Sequence, residues 1–251
     1  GIHCLIEKPL ASTPIESRSL VLAAQRAGCV LQVGHVERFN PAWTTIRDQI
    51  GEPRFIEATR EGTLTFRSMD AGVVLDLMIH DIDLVLSMVR APVTHVEAMG
   101  FHWTGETEDI AQARLLFANG CEAQLKASRV SSAPRRQMRL YGSDWFGDID
   151  FGARTCQVVA GPRRKDWQRR TYSVTDRQRL IAALYEEVLT KRDLVVPDGN
   201  PILDELADFV TSIVTATAPI VTGEDGASAV DVAHQVIDLI QGGSQQYRKA
   251  G

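Results

Sequence analysis

Several protein classes are excluded by what the sequence has little of. No apolar run is long enough to cross a bilayer, so neither a membrane-spanning helix nor a membrane partner is expected. The chain has 27 basic and 32 acidic residues, a net charge of −5. Proteins that bind nucleic-acid phosphates usually carry a basic excess, so a nucleic-acid partner is not expected. The four cysteines show no C-x-x-C spacing, which favours buried, reduced thiols over disulfide or metal roles and therefore a cytoplasmic location.

The sequence also lacks an initiating methionine and a charged-then-apolar signal segment. It opens on Gly1 and immediately reads as a buried strand that ends at Glu7. We therefore expect the amino terminus to be incomplete. The remaining composition, 44% hydrophobic, 24% charged and 6% aromatic, is that of a globular protein. A chain of 251 residues suffices for one large or two ordinary domains.

Residues 1–50 are predicted to alternate strand, helix, strand and helix. Thr13 has the spacing of a helix cap, and Gly28 supplies the left-handed stop that ends this first helix. A second buried strand follows at 29–33, and Pro41 opens a second helix. Such a unit belongs to a parallel sheet, but a doubly wound nucleotide-binding sheet has about six strands. We therefore interpret residues 1–50 as a remnant of such a sheet.

From residue 51 onward the pattern changes to a long apolar helix over 72–88 and then a succession of short strands. Asn119-Gly120 between two strands is a strong hairpin signal. The predicted strands cover 54–60, 93–101, 110–117, 121–129, 137–141, 147–151, 155–160 and 169–174. Helices are predicted over 175–191, 201–217 and 224–241, followed by a flexible tail at 242–251. The fold class is thus α/β plus α+β, with an open, mainly antiparallel sheet covered by helices over 51–241.

The most informative segment places three ionisable residues on one face of an apolar helix. Asp76, His80 and Asp83 stand at i, i+4 and i+7. Ionisable groups on an apolar helix are costly unless they are paired or face a cleft. One interpretation is a general acid/base, His80, oriented by the Asp76 carboxylate. The alternatives are a buried salt-bridge network that holds the helix to the sheet, and metal binding, for which no third strong ligand is evident nearby.

A second candidate lies where the two parallel strands end, the edge at which ligands of doubly wound sheets bind. Glu7-Lys8-Pro9 follows the first strand, and Lys8 there could place a positive charge beside a developing alkoxide. A cis bond before Pro9 is plausible in such a turn. His35 and Arg38 follow the second strand. Lys8 as an ordinary surface lysine and Arg38 as a helix-entry salt bridge remain open alternatives.

Four segments together resemble the Gfo/Idh/MocA family of NAD(P)-dependent oxidoreductases, in the family's order and over nearly the whole chain. They are Glu7-Lys8-Pro9-Leu10-Ala11, Gly34-His35 with Arg38-Phe39-Asn40-Pro41, Asp76 with His80 and Asp83, and a segment from Asn200-Pro201 to Gly226. The resemblance implies a Rossmann dinucleotide-binding domain, of which 1–50 is the C-terminal remnant. It further implies an α/β substrate and oligomerisation domain over 51–241.

The resemblance also implies roles for individual residues. Lys8 would lie by the nicotinamide of NAD or NADP, and Asp76 and His80 would line the substrate pocket, with His80 or Lys8 accepting a proton from a sugar hydroxyl. The cofactor contacts would be Glu7, Lys8, Pro9, His35 and Arg38, and the substrate contacts Arg38, Arg67, Asp76 and His80. The residues of the second and third segments are similar to those of family members that oxidise the 3-hydroxyl of UDP-N-acetylhexosamines. A small-molecule sugar or nucleotide sugar is therefore the expected substrate.

The sequence departs from the family at its glycine turn. It contains no G-x-G-x-x-G, the run that lets a helix N-terminus hold the pyrophosphate. One alternative is therefore a non-catalytic dimerisation or sugar-binding module, in which the open sheet, with an apolar outer face, forms a homodimer or homotetramer. Another is a dehydratase- or glycosidase-like relative that uses tightly bound NAD transiently.

Overall fold

Two β-sheets of different size organise the chain, which the computed structural model describes over residues 1–65, 71–104, 107–161, 173–182 and 189–248. The smaller sheet pairs β1 (Cys4–Glu7) with β2 (Leu31–Gly34) in parallel, through α1 (Pro14–Ala27). The side chain of Thr13 accepts a hydrogen bond from the Glu16 N–H, and Gly28 ends the helix at a positive φ of 61°. Both predicted boundaries of α1 are therefore confirmed.

A short connection leads from the small sheet to the large one. A 3-10 turn (Val36–Phe39) precedes α2 (Pro41–Arg47), whose N-terminus is capped by Asn40. Strand β3 (Phe55–Glu61) follows. The predicted long apolar helix begins as a π-helical turn (Val74–Met78) and continues as α3 (Ile79–Val89).

The larger sheet has eight strands in the order β10-β9-β8-β7-β3-β6-β5-β4. Among the strands of this sheet that the structure describes, only the β3–β6 pair is parallel, and the other neighbours are antiparallel. The remaining strands are β4 (Val93–Phe101), β5 (Ile110–Phe117), β6 (Glu122–Ser128), β7 (Arg135–Tyr141), β8 (Trp145–Asp150), β9 (Thr155–Ala160) and β10 (Thr190–Leu194). The predicted open, mainly antiparallel sheet is confirmed.

Helices cover one face of this sheet and form the main core with it. The remaining helices are α4 (Val174–Ala182), α5 (Pro201–Thr215) and α6 (Gly223–Arg248). Inward-facing side chains of the strands pack with those of α2, α3 and α6, all of them fully or almost fully buried. A smaller apolar cluster joins the two-stranded sheet to Val221 and to Ala227 of α6. The carboxyl-terminal helix therefore packs on both sheets, and the predicted division near residue 50 stays a prediction.

The outer face of the large sheet corrects one expectation, because it is mainly polar. Across β5 and its neighbours Arg114 pairs with Glu97 and Glu122, and Lys126 of β6 pairs with Glu61 of β3. Charged side chains at positions open to water keep their hydration and gain modestly from pairing across strands. Aromatic side chains of β3, β7 and β8 are grouped at one end of this face.

Two predicted boundaries in the carboxyl-terminal third are wrong. The helix predicted over 175–191 gives way to β10 at Thr190, because pairing with β9 outweighs the weak local helical preference. Helix α6 continues to Arg248 instead of ending near 241, since Gly242 and Gly243 cost only about 1 kcal/mol each in a helix. The strand predicted at 169–174 lies almost wholly outside the described residues.

All four cysteines are free thiols. Cys121 and Cys156 are buried, as predicted, whereas Cys4 is exposed and Cys29 is partly exposed, because both lie at the margin of the small sheet. Within the part of the chain that the structure covers, no helix is long and apolar enough to span a membrane.

Candidate active site

The candidate site lies where the two parallel strands end. Lys8 directly follows β1 and His35 directly follows β2, and the carboxyl ends of parallel strands meet at one edge of a sheet. The Lys8–Pro9 peptide bond is cis, as the sequence suggested. The π-helical turn and the start of α3 face this edge and bring Asp76 and His80 to it.

Lys8 is held by Asp76 rather than extended into water. Its Nζ donates to the Asp76 backbone carbonyl at 2.5 Å and lies 3.4 Å from the Asp76 Oδ1. Burial lowers the pKa of Lys8, the Asp76 carboxylate opposes this shift, and the Arg60 charge adds to it. The Lys8 side chain is 17% exposed and that of Asp76 is 37% exposed, so the pair lies at an opening and not in a sealed core. The surface-lysine alternative is therefore wrong.

Two histidine rings lie beside this pair. The rings of His35 and His80 meet edge to face, with centroids 6.3 Å apart. His35 is fully buried and His80 is partly buried. Burial is the main cause that lowers the pKa of both imidazoles, and the Arg60 and Lys8 charges lower that of His80 further. Both rings are therefore neutral at neutral pH, the form that can accept a proton.

The third residue of the predicted helix face, Asp83, has a different task. Arg38 Nε and Nη2 donate to its two carboxylate oxygens at 2.6 and 2.8 Å, and both side chains are almost fully buried. Arg38 Nη2 also lies 3.9 Å from Asp225 Oδ1 at the start of α6. The structure thus gives Arg38 the salt bridge that the sequence left open as an alternative, and its contact with a substrate or cofactor stays a prediction.

Asp76 does not take the orienting role that we expected. In the described parts of the chain its carboxylate is paired with Lys8, and its charge is not among the principal ones that act on the His80 ring. The π-helical turn widens the backbone between the two residues, and such turns recur at functional sites. The carboxylate therefore orients the ammonium, while the imidazole faces cations and the second histidine.

Sequence reasoning missed a buried ionic network beneath the site. Arg60 donates to both carboxylate oxygens of Asp81 and, at 2.8 Å, to Glu37, which in turn accepts a hydrogen bond from Asn40. Burial opposes the charge of Arg60, but the two carboxylates hold its pKa above the usual value, so the Arg60 guanidinium stays positive near His80. The sequence did contain a signal for it. Arg60 follows Ile56 and Ala58 at every second position of β3, so its side chain points into the core, where a charged group needs partners.

Glu7 faces away from this cluster, toward α5. It lies against Gly34, where a side chain would collide with its carboxylate. Burial raises the pKa of Glu205 in α5, and the charge of Glu7 adds to this shift. Arg67 lies outside the described residues. Among the residues that are described, no group of three or more histidine, cysteine or acidic side chains is arranged to hold a metal ion.

Comparison with known proteins shows similarity to a family of oxidoreductases. Residues 45–145 match the model of the Gfo/Idh/MocA C-terminal domain. A UDP-N-acetylglucosamine 3-dehydrogenase from Acidithiobacillus ferrooxidans is 39% identical over 159 residues, 63% of this chain and 51% of that protein. The chain spans about half the length of these curated relatives, the others being an oxidoreductase from Bacillus subtilis and a 1,5-anhydro-D-fructose reductase from Ensifer adhaerens.

Solved structures extend the similarity to nearly the whole chain. A structure of UDP-N-acetylglucosamine 3-dehydrogenase from the same organism superposes with a TM-score of 0.83 and 30% identity, covering 96% of this chain and 72% of that one. A levoglucosan dehydrogenase in complex with NADH and L-sorbose has a TM-score of 0.76 over 95% of this chain and 71% of that one. At 18% identity, this second likeness is one of fold alone.

Proposed function

Because the chain belongs to the Gfo/Idh/MocA family, as its sequence motifs predicted, we propose that it functions as an NAD(P)-dependent oxidoreductase acting on a sugar hydroxyl. The narrower substrate that we propose is a UDP-N-acetylhexosamine, since the 39% identical relative is named for UDP-N-acetylglucosamine. One observation carries the proposal: a partly buried Lys8–Asp76 pair lies beside neutral His80 at the edge where the parallel strands end. The free thiols are consistent with the cytoplasmic location that we also propose.

The residues at this edge fit the nicotinamide end of the cofactor. Lys8 provides a cation, and the ring nitrogens of buried His35, which have no partner among the described residues, provide free polar atoms at the same place. Arg38 lies near His35, whereas Glu7 faces α5; both remain predicted cofactor contacts. When bound, the nicotinamide supplies the hydride acceptor. The pyrophosphate contacts are not accounted for by these 251 residues, which contain no G-x-G-x-x-G.

The side chains of the site divide the acid/base work. His80 is neutral because burial and the nearby Arg60 and Lys8 charges disfavour its protonated form, so it can accept the hydroxyl proton. Lys8, fixed by Asp76, places a positive charge where negative charge develops on the substrate oxygen. Asp76 and His80 therefore serve as the proposed substrate contacts, and Arg67 remains a predicted one.

The decisive experiment uses protein expressed from the complete reading frame, mixed with NAD⁺ or NADP⁺ and UDP-N-acetylglucosamine. We expect reduced nicotinamide to accumulate, followed by absorbance. The His80→Ala change should lower kcat by about 10²–10⁴-fold through loss of the proton acceptor, and Lys8→Met should lower it comparably. The matched controls are His102→Ala and Lys191→Met, which change exposed residues of the same types. Full activity in His80→Ala and Lys8→Met would contradict the assignment.

A non-catalytic sugar-binding or dimerisation module is the second candidate, for which the open eight-stranded sheet is the supporting observation. The two functions differ in their response to cofactor alone. An oxidoreductase from the complete reading frame should gain thermal stability with NAD(H) or NADP(H), because a ligand that binds the native state stabilises it. A module should respond to the sugar nucleotide only.

For either function we propose a homodimer or homotetramer formed through the open sheet.

A further inference from the structure

One arginine beside the candidate site lacks a carboxylate partner. Three cations of the site, Lys8, Arg38 and Arg60, are each held by at least one carboxylate. Arg136, in β7, is exposed, and its side chain forms no hydrogen bond or salt bridge with any residue that the structure describes. Its positive charge is therefore available to a ligand.

The backbone places Arg136 next to the buried network. Its Cα partner in the β3–β7 ladder is Arg60, so the two side chains leave the same face of the sheet at neighbouring positions. Phe151, the residue after β8, donates its N–H to the Arg136 carbonyl at 2.9 Å, and its ring lies under the Arg60 guanidinium. Arg136 is therefore fixed one strand away from the arginine that binds Asp81, the residue after His80.

The face of β7 that carries Arg136 runs from the main core to the surface. Met138 and Leu140 are the next residues on this face, and both are buried in the main core. Arg136 ends the row and is exposed. Its charge is among those that face His80 and Asp81, so the exposed guanidinium lies at the same end of the core as the candidate site.

This position is unfavourable for the fold itself. Like charges directly opposite each other on neighbouring strands destabilise a sheet, and Arg136 stands opposite Arg60. The carboxylates of Asp81 and Glu37 are bound to Arg60 and leave its neighbour unpaired. A residue that breaks a local rule without a compensating contact indicates a functional use. An exposed, unpaired guanidinium beside a site for sugar oxidation is suited to bind an anionic group of the substrate.

We propose that Arg136 binds the diphosphate of a nucleotide-sugar substrate and so selects substrates that carry this group. A guanidinium can donate two parallel hydrogen bonds to phosphate oxygens, which adds geometric specificity to the attraction of charge. The inference rests on the proposed function and deepens it, because it names the residue that would distinguish a nucleotide sugar from a free sugar.

The cofactor also contains a diphosphate. We assign Arg136 to the substrate because it belongs to the large sheet, whereas the residues proposed for the cofactor follow the strands of the small sheet. Separate titrations with UDP and with NADH distinguish these two sources of the same chemical group.

The first test is a binding measurement that does not depend on turnover. Protein from the complete reading frame is titrated in a calorimeter with UDP, with uridine, which has no phosphate, and with NADH. We expect wild type to bind UDP at least about 30-fold more tightly than uridine. Arg136→Met should weaken UDP binding by about 10- to 100-fold and change the affinities for uridine and NADH by less than about threefold.

Two further variants sharpen this measurement. Arg136→Lys should recover part of the lost affinity, since it keeps the charge but not the two parallel N–H groups. The matched control is Arg139→Met, which changes an exposed arginine on the opposite face of β7 and should leave all three affinities unchanged. Equal affinities of wild type for UDP and uridine, or a loss of NADH affinity in Arg136→Met as large as that for UDP, would overturn the assignment.

The second test is kinetic. Arg136→Met should raise KM for UDP-N-acetylglucosamine by about 10- to 100-fold with kcat changed less than about threefold, since the lost contact binds ground state and transition state alike. Its melting temperature should equal or exceed that of wild type, because a like-charged neighbour of Arg60 is removed. A purely structural arginine would instead lower the melting temperature and leave the ratio of UDP to uridine affinity intact.

The outcomes separate the role of Arg136 from the function on which it rests. Wild-type protein that binds UDP through Arg136 but oxidises no sugar nucleotide would contradict the proposed function alone. Oxidation of UDP-N-acetylglucosamine with the same KM in wild type and Arg136→Met would overturn the role of Arg136 alone. Should Arg136→Met fail to fold, Arg136→Lys and the UDP-to-uridine ratio of wild type decide.

Discussion

At the scale of single residues, Glu205 is a buried carboxyl group outside the candidate site whose charged form is disfavoured. It lies in α5 with only 3% of its surface exposed, and its Oε1 has no hydrogen-bond partner among the described residues. Burial, and then the charges of Glu7 and Asp208, raise its pKa from 4.5 to about 7. The folded protein therefore keeps this proton at pH values where the unfolded chain has lost it.

The sign of the pH effect follows from this difference. Between about pH 4.5 and 7 the folded state binds more protons than the unfolded state, so stability falls as pH rises, and the full cost is present above pH 7. Glu205→Gln removes the charge at every pH. We expect the free energy of unfolding at about pH 8 to rise by about 1–3 kcal/mol, and to change little near pH 5, measured by urea unfolding.

The control for this prediction is Glu52→Gln, since Glu52 is an exposed residue of the same type. It should leave the free energy of unfolding unchanged at both pH values. A Glu205→Gln protein that is less stable than wild type near pH 8 would show that the carboxylate has a stabilising partner. Its burial would then not destabilise the folded protein.

The candidate site could be predicted from sequence where spacing and strand ends suffice. Asp76 and His80 stand one turn apart, and Lys8 ends a parallel strand, so helix periodicity and sheet geometry bring them to one edge. Which charge pairs with which could not be predicted. That Asp76 binds Lys8 and that Arg60 approaches His80 depends on the π-helical turn and on packing between elements far apart in sequence.

At the scale of elements, the Arg60 network ties β3 to α3 and to the 3-10 turn. Arg60 is 4% exposed, and its two carboxylate partners belong to those two elements. Removing one member of a buried ionic group leaves the others charged and unpaired, which costs about 3–5 kcal/mol. The network therefore fixes the helix that carries His80 against the sheet.

We expect Arg60→Met to lower the free energy of unfolding by about 3–5 kcal/mol, because Asp81 and Glu37 lose their shared counter-charge. Arg139→Met is the matched control: it removes an arginine from β7 whose pairing with Asp148 is exposed, and it should cost about 1 kcal/mol or less. Equal effects in urea unfolding would mean that the buried network contributes no more than a surface ion pair.

Element boundaries were predictable where local signals are strong. The Asn119-Gly120 turn joins two strands as predicted, with Gly120 at a φ of 81°. Strand β10 could not be predicted, since it is an edge strand of charged and polar residues, stabilised by pairing with β9 and not by its own pattern. The aromatic content of the outer face was equally hidden, because register decides which residues share a row.

At the scale of the whole molecule, we propose that copies of the chain associate through the outer face of the large sheet. Its charged rows are largely paired within the chain, whereas Phe55, Tyr141 and Phe146 stack side by side across three neighbouring strands, at centroid distances of 5.6 and 6.1 Å. Aromatic side chains are enriched at the centres of protein interfaces. We therefore place the contact between copies on this aromatic row.

Phe146→Lys tests this contact, because a second copy would then have to bury an unpaired ammonium against apolar rings. We expect sedimentation equilibrium to show a wild-type oligomer whose dissociation constant rises by about 100-fold or more in the variant, which corresponds to about 3 kcal/mol or more. Ile202→Lys, at an exposed apolar position on α5, is the control and should associate as the wild type does. If Ile202→Lys dissociates the oligomer while Phe146→Lys leaves it intact, the exposed face of α5 is the interface, and the open sheet is not.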